Sequence, residues 1–478
     1  MDSASFQFVL FGLAVAILSN FSRSRAWRFS ILMLASVVFI ALNDRDPISL
    51  LPLAGFLLLG YVCMLLLQSN RARILAWILP LVILVYVWLK KYTFLPEGLF
   101  IHGPYFVLGL SYIFFRVLHL LIETPERDRT NRIGFFSYLL YTLNFTTFVS
   151  GPIQRYDEFA RDQFAAEPIP LDVRTIGLQL ERILRGMFKV NVVAMLLNMY
   201  RVDALAQISG PWPMSFKVWA VLRLFLLYPF FLYSNFSGYI DIVIALARLM
   251  RVRLPENFDR PFATTSFIDL WNHWHMTLST WLKTYVFNPL LVFLMRRITF
   301  PAIQSFLAVI VFFVTFFLVG LWHGRTSEFL FFGMLQGGGV AGNKLWQIGL
   351  THKLGRKGYR ALAANPVYES FARGLNFVWF SITMLWFWAN WMQIKSVFSS
   401  FTIVQWLGIV LCAWLGATVA LALWEELRRM LLSVRTSEEP VLTTRYARMV
   451  YASFFCLCLI VFTLLLNQAA PEIVYRAF

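Results

Sequence analysis

The stretch FLVGLWHGRTSEF, residues 317–329, places a histidine at the point where a long apolar segment ends. The residues before it, QSFLAVIVFFVTF (304–316), carry no charge. A charge-free run of this length is typical of a helix that crosses a membrane. Ionisable side chains at membrane depth are costly and mark functional sites. The sequence therefore predicts a membrane-spanning helix that ends at a histidine, His323, which is a candidate functional residue.

Apolar runs of similar length recur along the whole chain. Hydrophobic residues make up 59% of the 478 positions and charged residues 14%, whereas a soluble domain is about half apolar and a quarter charged. The composition predicts an all-α polytopic membrane protein with 11–13 spans. The candidate spans are 5–20, 28–43, 48–67, 74–89, 105–122, 135–151, 186–200, 216–235, 302–322, 327–348, 372–393, 402–424 and 449–467.

Basic residues in the first loops indicate an orientation. Eight follow the first, third and fifth spans, whereas three lie in the loops between them. The excess of arginine and lysine marks the cytoplasmic side, so we expect the N-terminus to lie outside the cytoplasm. The net charge of +17 is scattered among such loops, which favours contact with lipid headgroups over nucleic-acid binding.

Two polar segments are long enough to carry function, residues 152–185 and 251–300. Loops of such length are uncommon unless they are functional. Within the second, residues 266–285 predict an amphipathic helix capped by Ser266. On a continuous helix Trp271, His275 and Ser279 would form one stripe. An interfacial helix with a tryptophan belt is the alternative interpretation.

Four side chains are candidates for chemistry. His323 suits a general base near neutral pH, although an interfacial histidine at a helix end is the alternative. Asp241 is predicted to begin an apolar helix, either as a capping carboxylate or as a buried group that orients a histidine. Arg155 is either a juxtamembrane anchor or a contact for an anionic donor. His275 and His273 lack the spacing of a helical zinc pair, and the four cysteines suggest no metal site.

The motifs WNHWHMTLSTW (271–281) and GLWHG (320–324) together resemble the paired signatures of the membrane-bound O-acyltransferase (MBOAT) family. The resemblance is strongest to the bacterial branch of alginate O-acetyltransferases and teichoic-acid D-alanyl transferases. Further matching stretches are FVSGPIQRYDEF, RGMFKVNVVAMLL and NFSGYIDIVIALARL. Departures occur at His273, Lys283-Thr284 and Gln336, where the family commonly has other residues.

The resemblance implies one transmembrane acyltransferase domain over 1–478. Its motif-bearing core would be about 109–345, with peripheral helices in 1–108 and 372–478. The implied fold is a ring of tilted helices, with re-entrant or interfacial helices, around a central funnel. The family's catalytic histidine falls on His323 and its second motif histidine on His275. Further donor- and substrate-binding candidates are Asn272, Trp271, Trp274, Ser279, Trp281, Trp322, Tyr239, Asp241 and Arg155.

The implied activity is transfer of an acyl group, foremost acetyl, from a cytoplasmic thioester to hydroxyls of an exported polysaccharide. The donor would be acyl-CoA or an acyl carrier protein, with no tightly bound cofactor and no metal. An extracytoplasmic acyltransferase or polysaccharide-export partner, and a bacterial inner-membrane location, are also implied. D-alanyl transfer to a teichoic-acid-like polymer and lipid or protein O-acylation stay open. A transporter or a non-catalytic scaffold is the alternative from another class.

Overall fold

The computed structural model describes residues 5–44, 46–69, 72–100, 108–127, 132–436, 439–440 and 444–466. Regular structure within these residues is almost entirely helical. The sheet among them is a single antiparallel pair of two-residue strands, β1 (Arg435–Thr436) and β2 (Glu439–Pro440). The prediction of an all-α protein is confirmed.

The helices of the described residues are numbered here in chain order. They are α1 (Phe6–Ser19), α2 (Arg25–Asn43), α3 (Leu51–Gln68), α4 (Leu75–Lys90), α5 (Leu110–Glu123), α6 (Phe135–Leu143), α7 (Tyr156–Gln163), α8 (Val173–Phe188), α9 (Met195–Ser209), α10 (Met214–Leu249), α11 (Phe267–His273), α12 (Met276–Leu282), α13 (Asn288–Arg297), α14 (Pro301–His323), α15 (Ser327–Ala363), α16 (Pro366–Thr383), α17 (Leu385–Trp388), α18 (Trp391–Ser399), α19 (Ile403–Ser433) and α20 (Arg445–Leu466). Turns of 3₁₀-helix lie at Ala72–Ile74, Glu97–Leu99, Thr124–Glu126 and Pro261–Ala263, and π-helical turns at Lys189–Ala194 and Lys283–Phe287.

Seven helices of the described residues are long and apolar enough to cross a membrane. They are Arg25–Asn43, Leu51–Gln68, Val173–Ser209, Met214–Leu249, Phe306–His323, Ile403–Ser433 and Arg445–Phe462. Helices α1 and α4 are apolar but shorter. The predicted span 372–393 is divided among α16, α17 and α18. Several predicted spans are therefore shorter or broken helices, as expected where backbone is buried in protein.

The predicted span 135–151 differs most from the structure. Helix α6 ends at Leu143, and the buried residues that follow are not helical. The guanidinium of Arg116 is 2% exposed and donates to the backbone oxygen of Thr142 at 2.7 Å and to that of Thr147. Buried carbonyl groups need such partners. Arg116 thus supplies the hydrogen bonds that the helix no longer makes.

The described chain divides into two compact units. The first unit contains residues 5–187 and 238–256, and the second contains 188–237 and 257–466. The assignment of one domain over 1–478 stays a prediction.

Close aromatic and glycine contacts hold the first unit together. The rings of Phe8 and Phe39 lie 5.8 Å apart, edge to face, and Phe145 packs against both. A side chain at Gly60 would lie 2.6 Å from the Tyr138 hydroxyl, so α3 and α6 approach closely there. Small residues allow apolar helices to approach closely. Such packing matters within a membrane because the hydrophobic effect does not drive helices together there.

The second unit contains a similar contact between α14 and α15. A Cβ at Gly320 would lie 2.5 Å from the backbone oxygen of Phe329, and one at Gly333 would lie 2.6 Å from that of Phe317. The two backbones therefore touch without side chains between them. Gln336, one turn further along α15, donates to Thr383 of α16 at 2.8 Å. This packing fixes the end of α14, where His323 lies.

Candidate active site

His323 is the last residue of α14 and is 2% exposed. Its imidazole is enclosed by aromatic rings, with centroid distances of 4.7 Å to Trp322, 5.1 Å to Phe387 and 5.8 Å to Phe332. Gly324 follows, and any Cβ there would collide with the Phe329 ring. The absence of a side chain at Gly324 therefore lets the Phe329 ring pack directly against the backbone next to His323.

His275 has a backbone conformation that residues other than glycine rarely adopt. It lies between α11 and α12 with a φ of 46°, in the left-handed region, and is fully buried. Non-glycine residues at positive φ are uncommon and cluster at functional sites. The Phe236 ring lies 5.0 Å from its imidazole. The strained turn therefore holds one buried imidazole against an aromatic wall.

The amide of Asn257 fixes the His275 ring. Asn257 Oδ1 accepts hydrogen bonds from the backbone nitrogen of Thr277 at 3.1 Å and from its hydroxyl at 2.8 Å. Oδ1 also lies 3.2 Å from His275 Nδ1. Because an amide oxygen only accepts, Nδ1 carries the proton and Nε2 is the basic nitrogen. The backbone oxygen of Asn257 accepts from the Met276 nitrogen at 2.9 Å.

Burial sets the charge of this histidine. Removal from water lowers the pKa of His275 to about 3, because desolvation disfavours the charged form. The ring is therefore neutral near pH 7. A neutral imidazole with its proton on Nδ1 is able to accept a hydrogen bond at Nε2.

The indole of Trp322 contacts both motif histidines. Its ring centroid lies 6.3 Å from that of His275 and 4.7 Å from that of His323. The structure therefore brings together three of the residues predicted from the sequence. They come from α14 and from the turn between α11 and α12.

The predicted continuous helix over 266–285 is wrong, and so is the stripe of Trp271, His275 and Ser279. Ser266 does cap a helix, accepting from the Asp269 nitrogen at 3.1 Å, but α11 ends at His273. The left-handed turn at His275 changes the direction of the chain, so residues four apart do not share a face.

The other motif residues of the second unit have varied surroundings. Asn272 is exposed and donates to Asp269 at 3.4 Å. Trp274 is buried against Phe258 and Phe380, and the Trp281 ring lies 5.0 Å from the Tyr285 ring, tilted against it. Ser279 donates to the Trp274 oxygen at 3.5 Å. These contacts make Trp274 a packing residue.

Several buried polar atoms in the second unit make no hydrogen bond within the described part of the chain. Trp271 Nε1, Asn257 Nδ2 and Gln336 Oε1 are among them. Buried polar atoms without partners are rare and call for an explanation. A bound polar substrate would supply hydrogen-bond partners for these atoms. Sequence reasoning missed Asn257, although its place at the start of the motif stretch NFDRPF, 18 residues before His275, was visible.

Tyr239, Asp241 and Arg155 belong to the first unit. Asp241 does not begin a helix, because it lies inside α10, and its carboxylate pairs with Arg182 at 2.9 Å and Arg185 at 3.5 Å. Tyr239 is fully buried, and the Phe8 ring lies 6.5 Å away. Arg155 is exposed and pairs with Glu123. The partners of Asp241 favour a structural ion pair over the predicted helix cap.

Comparison with known proteins supports the resemblance. The model of the MBOAT, membrane-bound O-acyltransferase family matches residues 47–372. A teichoic acid D-alanyltransferase of Bacillus subtilis (strain 168) is 28% identical over 266 residues, which cover 55% of this chain and 64% of the relative. One from Streptococcus thermophilus is 29% identical over 244 residues, covering 50% and 57%.

A probable alginate O-acetylase AlgI of Pseudomonas putida is 28% identical over 230 residues, covering 48% of this chain and 44% of the relative. The chain thus spans less than two thirds of the length of each of these three relatives. The family match covers more than half of the chain and includes both motif histidines. The protein belongs to the membrane-bound O-acyltransferase family.

Proposed function

We propose that the protein is an O-acyltransferase that moves an acetyl group from a cytoplasmic thioester to a hydroxyl of an exported polysaccharide. One observation carries the proposal: the buried imidazoles of His275 and His323 contact the same indole, that of Trp322. Histidine is the side chain best suited to accept and return a proton near neutral pH.

In the proposed reaction, His323 accepts the proton of the attacking hydroxyl group. The hydroxyl oxygen at the same time bonds to the thioester carbonyl carbon. The carbon–sulfur bond then breaks, and the imidazolium returns the proton to the leaving thiolate. The products are an ester and a free thiol, and His323 ends in its starting state. General acid–base help of this kind contributes about 10²- to 10⁴-fold to the rate.

His275 has a different role in this scheme. Its Nδ1–H donates a hydrogen bond to Asn257 Oδ1, so Nε2 is left as an acceptor. A ring whose pKa lies near 3 is a weak base, which assigns His275 to orienting the acceptor hydroxyl. Trp271 Nε1 and Asn257 Nδ2 are then candidates to donate to the donor carbonyl oxygen as negative charge develops there.

Donor, partners and location complete the proposal. The donor is acyl-CoA or an acyl carrier protein, and an extracytoplasmic acyltransferase or export protein receives the acyl group or the modified polymer. The proposed cellular location is the bacterial cytoplasmic membrane, which fits the seven candidate membrane helices among the described residues. Acetyl is favoured by the relatives named alginate O-acetylase.

D-alanyl transfer to a polyanionic polymer is the second candidate. It is favoured by the relatives described above that are named teichoic acid D-alanyltransferase.

The test compares envelope and exported glycans from cells that carry the wild-type protein or His323→Ala. Mass spectrometry and NMR would quantify ester-linked acetyl and D-alanine, with protein level and membrane insertion checked. Loss of acetyl alone supports the proposal, whereas loss of D-alanine supports the second candidate. Unchanged esters of both kinds would contradict both candidates and leave a different acceptor, such as a lipid or protein, or a non-enzymatic role.

A further inference from the structure

A basic cavity of about 730 Å³ lies within the first unit. It is bordered by the loop between α1 and α2, the end of α7 with the segment that follows, and the turn after α10. Its charged lining residues are Arg23, Arg161, Arg251, Arg253, Asp162, Glu167 and Asp172. No residue of this cavity belongs to the candidate active site, and only the nucleotide arm of the inference rests on the proposed function.

Asp162 neutralises only one of the four lining arginines. The guanidinium of Arg253 donates to both carboxylate oxygens of Asp162, at 2.6 and 3.0 Å. Arg251 instead donates to neutral groups, Asn20 Oδ1 at 2.6 Å and the Ile169 oxygen at 2.8 Å. Within the described ranges, Arg23 and Arg161 form no ion pair. Three lining guanidinium groups thus keep their charge uncompensated.

Two further arginines add charge behind the lining. Arg28 donates to the oxygen of Ala165 and Arg248 to that of Pro170, each at 2.8 Å, and both acceptor residues line the cavity. Arg28 Nε and Arg248 Nη1 are buried and make no hydrogen bond among the described residues. Buried guanidinium nitrogens without acceptors point to a missing anionic partner.

The remaining carboxylates do not balance these charges. Asp172 accepts from the Thr175 nitrogen at 2.8 Å, at the start of α8, and Glu167 is exposed. Burial, with the like charges of Arg23 and Arg248, lowers the pKa of Arg251. Six guanidinium groups in or against the cavity therefore face three carboxylates, one of which Arg253 already holds.

We propose that this cavity binds a phosphate group. A planar guanidinium group donates paired hydrogen bonds to two oxygens of a tetrahedral phosphate, and a phosphate supplies the negative charge that the surplus arginines lack. The expected cytoplasmic location of Arg23 offers two sources, the headgroup of an anionic phospholipid and a soluble phosphorylated nucleotide of the kind found in coenzyme A. The shared chemistry is the phosphate itself.

The test measures binding to purified full-length protein. One probe is phosphatidylglycerol in phosphatidylcholine nanodiscs, followed by native mass spectrometry. The other is adenosine 3′,5′-bisphosphate, followed by calorimetry. The variant is Arg23→Gln with Arg161→Gln, two exposed positions without ion pairs, which we expect to fold normally. The matched control is Arg73→Gln with Arg132→Gln, exposed arginines of the first unit that do not line the cavity.

We expect the cavity variant to lose at least tenfold in affinity for one probe, while the control stays within about twofold of the wild type. Loss for the lipid alone identifies a headgroup site, and loss for the nucleotide alone identifies a soluble ligand. Equal affinity of wild type and cavity variant for both probes, or equal losses in cavity variant and control, would overturn the proposal.

Discussion

Asn257 and His275 are joined by a hydrogen bond of 3.2 Å between the amide oxygen and Nδ1, across 18 residues of sequence. The same oxygen binds the nitrogen and hydroxyl of Thr277. One side chain therefore sets the tautomer of the histidine and the geometry of the turn that contains it. The amide oxygen of Asn257 is therefore a positioning group that acts through His275, and this role is separate from the one proposed for Nδ2.

Replacing Asn257 should alter the pH dependence of the enzyme. Asn257→Asp places a carboxylate beside the ring, which raises the pKa of His275 because an opposite charge favours the protonated form. In the wild type this ring protonates only near pH 3. The variant should therefore lose activity at a higher pH than the wild type on acidification and recover it as pH rises. A transfer assay over about pH 5 to 8 measures this.

Asn257→Ala should lower activity about 10- to 100-fold, because a buried imidazole loses its partner at a cost of about 1–3 kcal/mol. The control is Asn288→Ala, which removes an exposed asparagine at the start of α13. A pH profile of Asn257→Asp identical to the wild type would contradict the positioning role.

The two motif histidines should differ when each is replaced by alanine. His323→Ala should reduce transfer by about 10²- to 10⁴-fold, as expected for loss of a general base. His275→Ala should cost about 10- to 100-fold, the effect of one lost hydrogen bond to the substrate. Ester content per unit of membrane protein measures both. His352→Ala, an exposed histidine of α15, is the matched control; a smaller effect at position 323 than at 275 would reverse the assignment.

Gly320→Ala should destabilise the second unit. Its methyl group would meet the backbone of α15, which has no side chain to move aside, and forced overpacking costs about 1–3 kcal/mol. Gly349→Ala adds a methyl group to α15 where nothing lies within 4 Å. Thermal unfolding in detergent should show a lower Tm for the first variant alone. Equal Tm values would mean that α14 and α15 do not touch at Gly320.

Asp241 should contribute to stability through its two arginines. Asp241 is 7% exposed, so Asp241→Ala leaves Arg182 and Arg185 without the carboxylate between them. Arg182 keeps its second partner, Glu256, and Arg185 is 45% exposed, so the expected cost is that of one charged hydrogen bond, about 1.5–3 kcal/mol. Glu426→Ala breaks an exposed pair with Arg429 and should leave the Tm unchanged. A Tm for Asp241→Ala equal to that of the wild type would show that the pair is dispensable.

Local patterns account for what the sequence predicted correctly. Apolar runs identified most helices, Ser266 identified a helix start, and the motif around His323 identified a buried histidine at a helix end. Each of these depends on residues close together in the chain. Helical periodicity alone could not show the left-handed turn at His275, because tertiary contacts stabilise it.

The missed features depend on distant residues. Asn257 meets His275 from 18 positions away, and Arg182 meets Asp241 from 59 positions away. Arg116 replaces the hydrogen bonds of a helix that the apolar pattern at 135–151 predicted to continue. A single sequence carries no direct record of such pairings, so helix ends inside apolar runs could not be predicted.

The shared indole of Trp322 makes the two motif histidines visible to spectroscopy. The chain has six histidines, so isotope labelling of this residue type gives a spectrum with few resonances. The ring current of Trp322 acts on His275 and His323 together, since both lie against it. Trp322→Leu should therefore displace two imidazole signals at once, which identifies the pair that belongs to His275 and His323 in a single comparison.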